Sequence, residues 1–397
     1  MNMLQAARQL GTTWVYGRLY DDPFNQLLLR AGRMDPYPLH ARLRADGPVT
    51  RSRSGDWVVT GHELANGVLR DRRFGVRNTP YDPGAASELG YASGAEHHFS
   101  ILEIDPPDHG RLRKLAAPAF SPRMMAEYRL EIERLTAQLL DATPGRFDLM
   151  TTIAGPLPIA VITRLLGIPD ADAARFQRYG RVVGSSLDGV RSPRHARRLA
   201  RATRDIEELF AGMARASAPD DRHLVGRLAA DLRAGRLTPR ELLSLSRILL
   251  IAGFETTVNL IGNGVLALLR NPEQWRALRD DPELAGAAVE EILRYDSPVQ
   301  ATLRFAREDV ELGGRRIARG DSVYILLGAA NRDPSVYSDP TASTSGAPRR
   351  RATWRSAAAR TTASAPRCPV WRARSCSARW RSGCPTCGRP ARRAAAR

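Results

Sequence analysis

A long helix with apolar residues on nearly every side is the feature that most constrains how this chain folds. Thr238, Pro239 and Glu241 predict its start, because threonine is a favourable N-cap, proline suits the first helical position and glutamate completes a capping box. The pair Asn271-Pro272 predicts its end, which gives a helix of about 33 residues and roughly 50 Å. A helix that is apolar all round must be buried among other elements. We therefore expect a mainly α-helical fold with small β-sheets, built around this central helix.

The composition of the chain changes sharply at Pro340. The chain has 397 residues, of which 43% are hydrophobic, so it can bury one large core or two moderate ones. Residues 341–397 contain fourteen arginines, no acidic residue and all four cysteines, but no leucine, isoleucine, phenylalanine, tyrosine or methionine. Such a segment cannot form an ordinary hydrophobic core. We expect a folded body over residues 1–340 and a disordered C-terminal tail over residues 341–397.

Most of the positive charge belongs to that tail. The formal net charge is +18, of which the tail carries +14 and the body only +4. A body that binds nucleic acid specifically is therefore disfavoured, although any arginine-rich peptide binds nucleic acid nonspecifically at low salt. The tail cysteines, Cys368, Cys376, Cys384 and Cys387, do not form the two matched pairs that are typical of a zinc site.

The sequence predicts neither a membrane span nor a secretory signal. No uninterrupted apolar run reaches the roughly 18 residues of a membrane helix, and the first residues lack a basic segment followed by a long apolar one. We expect a soluble, cytoplasmic protein.

Shorter patterns outline the N-terminal part of the body. Residues 36–46 have two leucines four positions apart and end before Gly47-Pro48, which predicts a short amphipathic helix. A pair of strands should follow, with one strand in residues 56–62 and a helix after it. Residues 77–100 form a long polar segment that is typical of a binding loop and equally of a flexible connector.

The segment AGFETT, residues 252–257, places polar groups in the middle of the central helix. Gly253 weakens the helix by about 1 kcal/mol relative to alanine, and Thr256 can donate a hydrogen bond to a carbonyl one turn earlier. The carboxyl group of Glu255 is costly in apolar surroundings unless it lines a cavity or relays protons. The alternative is a helix kink in which Glu255 is simply hydrogen-bonded.

A second segment, IDPPDHGRLRKLAAPAFSP, covers residues 104–122. In it a helix would place His109 and Arg113 four positions apart on one face. Two converging donors of this kind can hold a carboxylate or a phosphate. The alternative is a solvated basic face that includes Arg111 and Lys114.

A third segment, residues 288–309, contains Glu291 and Arg294 three positions apart. Spacing alone favours an ordinary ion pair on the surface of a helix.

Together, in this order and at these separations, the three segments resemble the bacterial soluble branch of the cytochrome P450 family of haem-thiolate monooxygenases. The resemblance extends from about residue 20 to residue 340. It implies a haem cofactor (iron protoporphyrin), dioxygen and a small organic substrate that is hydroxylated. It also implies that electrons pass from NAD(P)H through ferredoxin reductase and ferredoxin.

The resemblance further implies a role for each of the charged and polar residues in these segments. The catalytic acid–alcohol pair that delivers protons would be Glu255 and Thr256, with Ala252 and Gly253 beside the cofactor. The two haem propionates would be held by His109, Arg113 and Arg304, and the structural pair of the ExxR motif would be Glu291 and Arg294.

The tail departs from the family at the loop that should carry the axial ligand of the iron. Residues 330–340 resemble the segment before a Phe-Gly-rich loop with the ligand cysteine, but SAAARTTASAPR, residues 356–367, contains no cysteine. Codons shifted by one base permit FGGGPHYCLGAP over the same stretch, with the cysteine at the position of Ala363. We infer a frameshift near Pro340, so that this chain lacks the axial cysteine and is inactive, or is the non-catalytic product of a frameshifted gene.

The composition of the tail yields a first prediction. Limited proteolysis should rapidly remove the tail back to about Pro340 and leave the body intact, because the tail has too few apolar side chains to offset about 1–2 kcal/mol of backbone entropy per ordered residue. Mass spectrometry of the digest identifies the end of the resistant fragment. A tail that resists proteases in the presence of zinc would support a metal site instead.

Overall fold

The computed structural model describes residues 3–78, 101–184, 192–218 and 223–341. In these residues the chain is mainly α-helical with two small β-sheets, which confirms the expected fold class. Most of the polar segment 77–100 and nearly all of the tail lie outside the described residues, so the predictions for them stay predictions.

The α-helices of the described residues follow the chain in this order: α1 (Met3–Arg18), α2 (Pro23–Leu28), α3 (Arg30–Met34), α4 (Tyr37–Ala45), α5 (His62–Arg70), α6 (Asp108–Ala116), α7 (Pro122–Asp141), α8 (Pro156–Leu166), α9 (Asp170–Gly184), α10 (Pro193–Ala216), α11 (Leu224–Arg233), α12 (Pro239–Arg270), α13 (Pro272–Asp280), α14 (Ala285–Tyr295) and α15 (Leu327–Ala330).

The strands are β1 (Val49–Arg51), β2 (Trp57–Val59), β3 (Phe74–Gly75), β4 (Ala301–Ala306), β5 (Val310–Leu312), β6 (Arg315–Ile317) and β7 (Ser322–Leu326). Five of them form a sheet in the order β1-β2-β7-β4-β3, in which β2 and β7 are parallel and the other neighbours are antiparallel. Strands β5 and β6 form a separate antiparallel hairpin.

The predicted elements of the N-terminal part are present. The helix expected in residues 36–46 is α4, and the expected strand pair is β1 with β2. The strand predicted over residues 56–62 is shorter, because its last residues turn into α5: Gly61 is the N-cap residue and His62 the first helical residue.

The central helix α12 has the predicted limits, with 32 residues from Pro239 to Arg270. Its capping box is complete, since the Thr238 hydroxyl accepts from the Glu241 amide at 3.2 Å and the Glu241 carboxylate accepts from the Thr238 amide at 2.8 Å. The Glu241 carboxylate, 5% exposed, also pairs with Arg111 of α6. This ion pair ties α6 to the first turn of α12.

Helix α12 is a core helix. It packs against α8, α9, α10, α11 and α14, and the buried apolar side chains of its first half belong to the largest hydrophobic cluster of the described residues. By length and composition alone it is also apolar enough to cross a membrane. The helices packed around it explain its apolar surface, because a helix that is hydrophobic all round needs partners on several sides.

A buried histidine lies where the N-terminal helices meet the sheet region. His40 of α4, which packs against α15, is 3% exposed, and the ring of Tyr37 stands edge-on to it at 5.8 Å. Burial, together with the nearby cations Arg44 and Arg332, lowers the pKa of His40 to about 3. His40 is therefore neutral in the folded protein at neutral pH.

This histidine yields a second prediction. Because the unfolded chain binds a proton at His40 more readily than the folded one, its contribution to stability is present above pH 6.5 and is lost as the pH falls toward 3. The free energy of unfolding should fall by up to about 1.4 kcal/mol per pH unit from this group alone. Urea unfolding of the wild type and of His40→Gln at pH 7, 6, 5 and 4.5 measures the difference.

The gap in unfolding free energy between wild type and His40→Gln should change in favour of the variant as the pH falls. His223→Gln, at an exposed position, controls for the loss of a histidine. Parallel pH profiles for wild type and His40→Gln would show that His40 does not titrate in this way.

Candidate active site

The AGFETT segment lies within an uninterrupted part of α12. The Thr256 hydroxyl donates to the Ala252 carbonyl at 2.6 Å, which confirms the predicted hydrogen bond to the preceding turn. Thr256 and Glu255 are both half-buried, so neither belongs to the fully packed side of the helix. The acid–alcohol pair lies on one segment of the helix, as the sequence predicts, and it has partial access to space beside the helix.

Gly253 has a packing role that the sequence did not indicate. A Cβ atom at this position would lie 2.5 Å from Cδ1 of Ile162 on α8. A side chain at this position would therefore require the end of the Ile162 side chain to move. The proposed place of Gly253 and Ala252 beside a cofactor stays a prediction.

The three predicted cationic residues come together from two elements. His109 and Arg113 lie one turn apart on α6, and Arg304 lies on β4. Both arginines act electrostatically on His109. Helix α6, which carries His109 and Arg113, contacts α12. We call these three residues the cationic cluster.

Burial determines the electrostatics of the cationic cluster. It lowers the pKa of His109, and Arg113 lowers that pKa further, while Asp105 opposes the shift and Arg304 reinforces it. Burial also lowers the pKa of Arg113 and of Arg304. The charged forms of both arginines are thus partly desolvated, and an anionic ligand would offset that cost.

Two hydrogen-bonding details indicate where a ligand can bind. Nη1 of Arg304 donates to the Leu303 carbonyl at 2.7 Å and to the Thr302 hydroxyl at 3.1 Å, which orients the guanidinium group. Nε2 of His109 is buried and has no hydrogen-bond partner within the described residues. A carboxylate oxygen at this point would satisfy the histidine and face both arginines.

The alternative of a solvated basic face applies to the other side of α6. Arg111 and Lys114 are exposed, whereas His109 and Arg113 are half-buried. Lys114 thus lies on an exposed basic side of α6, where Arg111 also pairs with Glu241 of α12, and another side of the helix carries His109 and Arg113.

The Glu291–Arg294 pair is buried, so the surface ion pair favoured by spacing alone is wrong. Their side chains are 11% and 5% exposed, and two charge-assisted hydrogen bonds of 2.7 and 2.9 Å join them. Nη1 of Arg294 donates to the carbonyls of Asn331 and Pro340, each at 3.1 Å. The pair therefore anchors the segment from residue 331 to residue 340 to α14.

Sequence reasoning did not single out Asp105, although it lies in the quoted segment 104–122. Its carboxylate pairs with Arg307 at 2.8 Å and accepts a hydrogen bond from the Val76 amide at 3.0 Å. An acid just before two prolines and a helix start was the available signal, but the sequence could not show its partners.

Comparison with known proteins identifies the family. The family profile described as Cytochrome P450 matches residues 220–342. Cytochrome P450 monooxygenase PikC of Streptomyces venezuelae is 41% identical in an alignment of 331 residues that covers 77% of this chain and 74% of that protein. This chain belongs to the cytochrome P450 family. The helices and sheets described above are thus those of a P450. Helix α12 carries AGFETT, the segment that resembles the corresponding part of this family.

Solved P450 structures share the fold. Ligand-free CYP164A2 of Mycobacterium smegmatis superposes with a TM-score of 0.74 at 34% identity, over 90% of each chain. P450BioI in complex with hexadec-9Z-enoic acid ligated acyl carrier protein gives a TM-score of 0.71 at 34% identity, over 82% of this chain and 84% of that one.

The described residues fit one part of a haem site. Members of this family are haem proteins, and the cationic cluster has the donors that the propionates require. A cysteine ligand for the iron is not among the described residues, because the first cysteine of the sequence is Cys368. The described part of the P450 fold thus offers donors for the propionates but not the axial thiolate.

The buried pair in α14 yields a third prediction. Glu291→Gln should lower the free energy of unfolding by about 3–5 kcal/mol, because it leaves the buried guanidinium of Arg294 without its anionic partner. Glu133→Gln is the matched control, since Glu133 pairs with Arg129 at 3.0 Å with both side chains exposed. Its cost should stay below about 1 kcal/mol. Equal losses in the two variants, measured by urea unfolding, would refute a special role for the Glu291–Arg294 pair.

Proposed function

We propose that this chain is the product of a gene for a haem-dependent monooxygenase that hydroxylates a small organic substrate. The observation that carries the proposal is the cationic cluster on α6 and β4, with α6 in contact with the helix that carries the acid–alcohol pair. In the proposed reaction, electrons come from NAD(P)H through ferredoxin reductase and ferredoxin. The proposed location of the protein is the cytoplasm. The bacterial P450 relatives support this assignment of class.

The cationic cluster would hold the cofactor. Arg113 and Arg304 would pair with the two propionates, and Nε2 of His109 would bond to one propionate oxygen. The partial burial of these groups strengthens the interaction, because a charge-assisted hydrogen bond is stronger where water is excluded. The hydrogen bonds of Arg304 to residues 302 and 303 hold its guanidinium in place before the ligand binds.

Glu255 and Thr256 would deliver the protons that the reaction needs. When bound, haem would activate dioxygen with two electrons and two protons, so that one oxygen atom enters a substrate C–H bond and the other leaves as water. Because the Thr256 hydroxyl donates its own proton to the Ala252 carbonyl, its oxygen keeps lone pairs that can accept a hydrogen bond. Glu255, the next residue along the chain, would supply the proton from the side of the helix that is only half-buried.

The tail decides whether the chain is catalytically complete. The family places a cysteine thiolate on the iron, and its electron donation favours oxygen–oxygen cleavage. Cys368 lies five positions beyond Ala363, where the shifted frame permits the ligand cysteine. We propose that this chain forms no thiolate-ligated haem and has no monooxygenase activity. A non-catalytic product of a frameshifted gene is the alternative reading of the same tail.

A spectroscopic comparison gives the fourth prediction. This chain and a version in which the codons after Pro340 are read in the shifted frame are expressed, loaded with haem, reduced with dithionite and exposed to carbon monoxide. Only the shifted-frame version should show the Soret band of a thiolate-ligated carbonyl complex, because only it has a cysteine in the ligand loop. The two versions have the same residues up to Pro340 and are expressed and purified in the same way.

Each failure has a separate meaning. A thiolate-type band from this chain would show that one of the four tail cysteines can ligate the iron. The absence of the band from the shifted-frame version would refute the proposed frameshift.

A further inference from the structure

Asp105 joins three segments that are distant in sequence. One oxygen of its carboxylate accepts from the Val76 amide at 3.0 Å, and the other pairs with Nη2 of Arg307 at 2.8 Å. Its main-chain carbonyl accepts from the His109 amide at 3.1 Å, in the first turn of α6. A single residue thus connects the end of β3, the end of β4 and the start of the helix that carries His109 and Arg113.

The sheet edge is shaped to admit this ion pair. A Cβ atom at Gly75 would lie 2.5 Å from Nε of Arg307 and 2.8 Å from the carboxylate of Asp105. The pair therefore crosses directly over the backbone of Gly75, and any side chain at this position would displace it. Arg307 is fixed from its main chain as well, because its amide donates to the Arg73 carbonyl at 2.8 Å.

The same carboxylate contributes charge to the cationic cluster. Asp105 acts electrostatically on His109 and on Arg304, with a sign opposite to that of Arg113. With His109 neutral, Arg113, Arg304 and Arg307 together with Asp105 leave two net positive charges. This net charge matches a ligand with two carboxylates, such as a porphyrin with two propionates.

We propose that Asp105 is a positioning residue of the cationic cluster: it anchors the start of α6 to the ends of β3 and β4, so that His109 and Arg113 face Arg304. This inference rests on the proposed haem-binding role of the cluster. It makes a prediction that a purely electrostatic role does not make. Removal of a negative charge near an anion site should tighten anion binding, whereas loss of positioning should weaken it.

Asp105→Asn tests the proposal in the full chain. Asparagine keeps an oxygen that accepts from the Val76 amide but lacks the charge that pairs with Arg307. The probe is metal-free protoporphyrin IX, which carries both propionates and needs no axial ligand, and its binding is followed by quenching of tryptophan fluorescence. We expect about tenfold weaker binding, equivalent to about 1.4 kcal/mol. Unchanged or tighter binding would overturn the proposal.

A matched control comes from Asp309, whose carboxylate has the same kinds of partner. It pairs with Arg316 at 2.7 Å and accepts from the Arg319 amide at 2.9 Å, next to the hairpin β5–β6. Asp309→Asn should leave porphyrin affinity unchanged. An equal loss in both variants would mean that the effect is a general loss of stability.

Arg307→Gln is the second test variant, because it breaks the same pair and keeps the negative charge of Asp105. It should also weaken porphyrin binding. If it does not, the pair with Arg307 does not position α6 and the proposal fails. Both variants are checked for folding by circular dichroism.

The proton titration of His109, followed by NMR, is the readout that a merely structural role would not move. Asp105→Asn removes a negative charge near His109 and changes the approach of Arg304, so it should shift the pKa of His109, and Asp309→Asn should not change it. No change in Asp105→Asn would contradict the proposed placement of Asp105.

The titration also separates the two proposals. Wild type that binds protoporphyrin IX no better than its uncharged dimethyl ester would refute the haem-binding role of the cluster. The His109 titration would still decide, without any porphyrin, whether Asp105 lies where it can act on α6.

Discussion

Burial of α12 is the constraint on which the rest of the fold depends. Its 32 residues are apolar on nearly every side, so helices must pack around it before the chain gains from its formation. Close packing has local requirements: Gly253 admits Ile162 of α8, and a Cβ atom at Gly264 would lie 2.8 Å from Cδ1 of Ile292 on α14. The first turn of α12 also holds α6, the helix that carries His109 and Arg113, through the ion pair of Glu241 with Arg111.

Two kinds of buried arginine show how this fold separates structure from binding. Arg294 donates hydrogen bonds to Glu291 and to two main-chain carbonyls, so its charge is neutralised and its donors are occupied within the protein. Such a group stabilises one arrangement of the chain and has little left for a ligand. Arg304 is also desolvated, but the hydrogen bonds of its Nη1 go to neutral oxygens of the neighbouring residues. Its charge is therefore available to an anion.

The separation of the chain at Pro340 has a direct chemical consequence. The body contains the residues that we propose hold a dianionic ligand, and it contains the acid–alcohol pair on α12. All of these lie in the part of the sequence that follows the P450 pattern. The only thiols belong to the arginine-rich tail. A shift of one base in the codons near Pro340 would thus remove the iron ligand but would not change the residues that form the helices and sheets of the body.

The sequence by itself determined the limits of α12, the helix that carries His109 and Arg113, and the hydrogen bond from Thr256 to Ala252. These depend on capping residues and on contacts within one helical turn, which can be predicted from residues that are close together in the sequence. Only the tertiary structure decided that Glu291 and Arg294 are buried, that Gly253 faces Ile162, and that Asp105 joins Val76 to Arg307. Spacing shows which side chains share a face of a helix. What covers that face is decided by the burial of apolar surface between segments far apart in the chain.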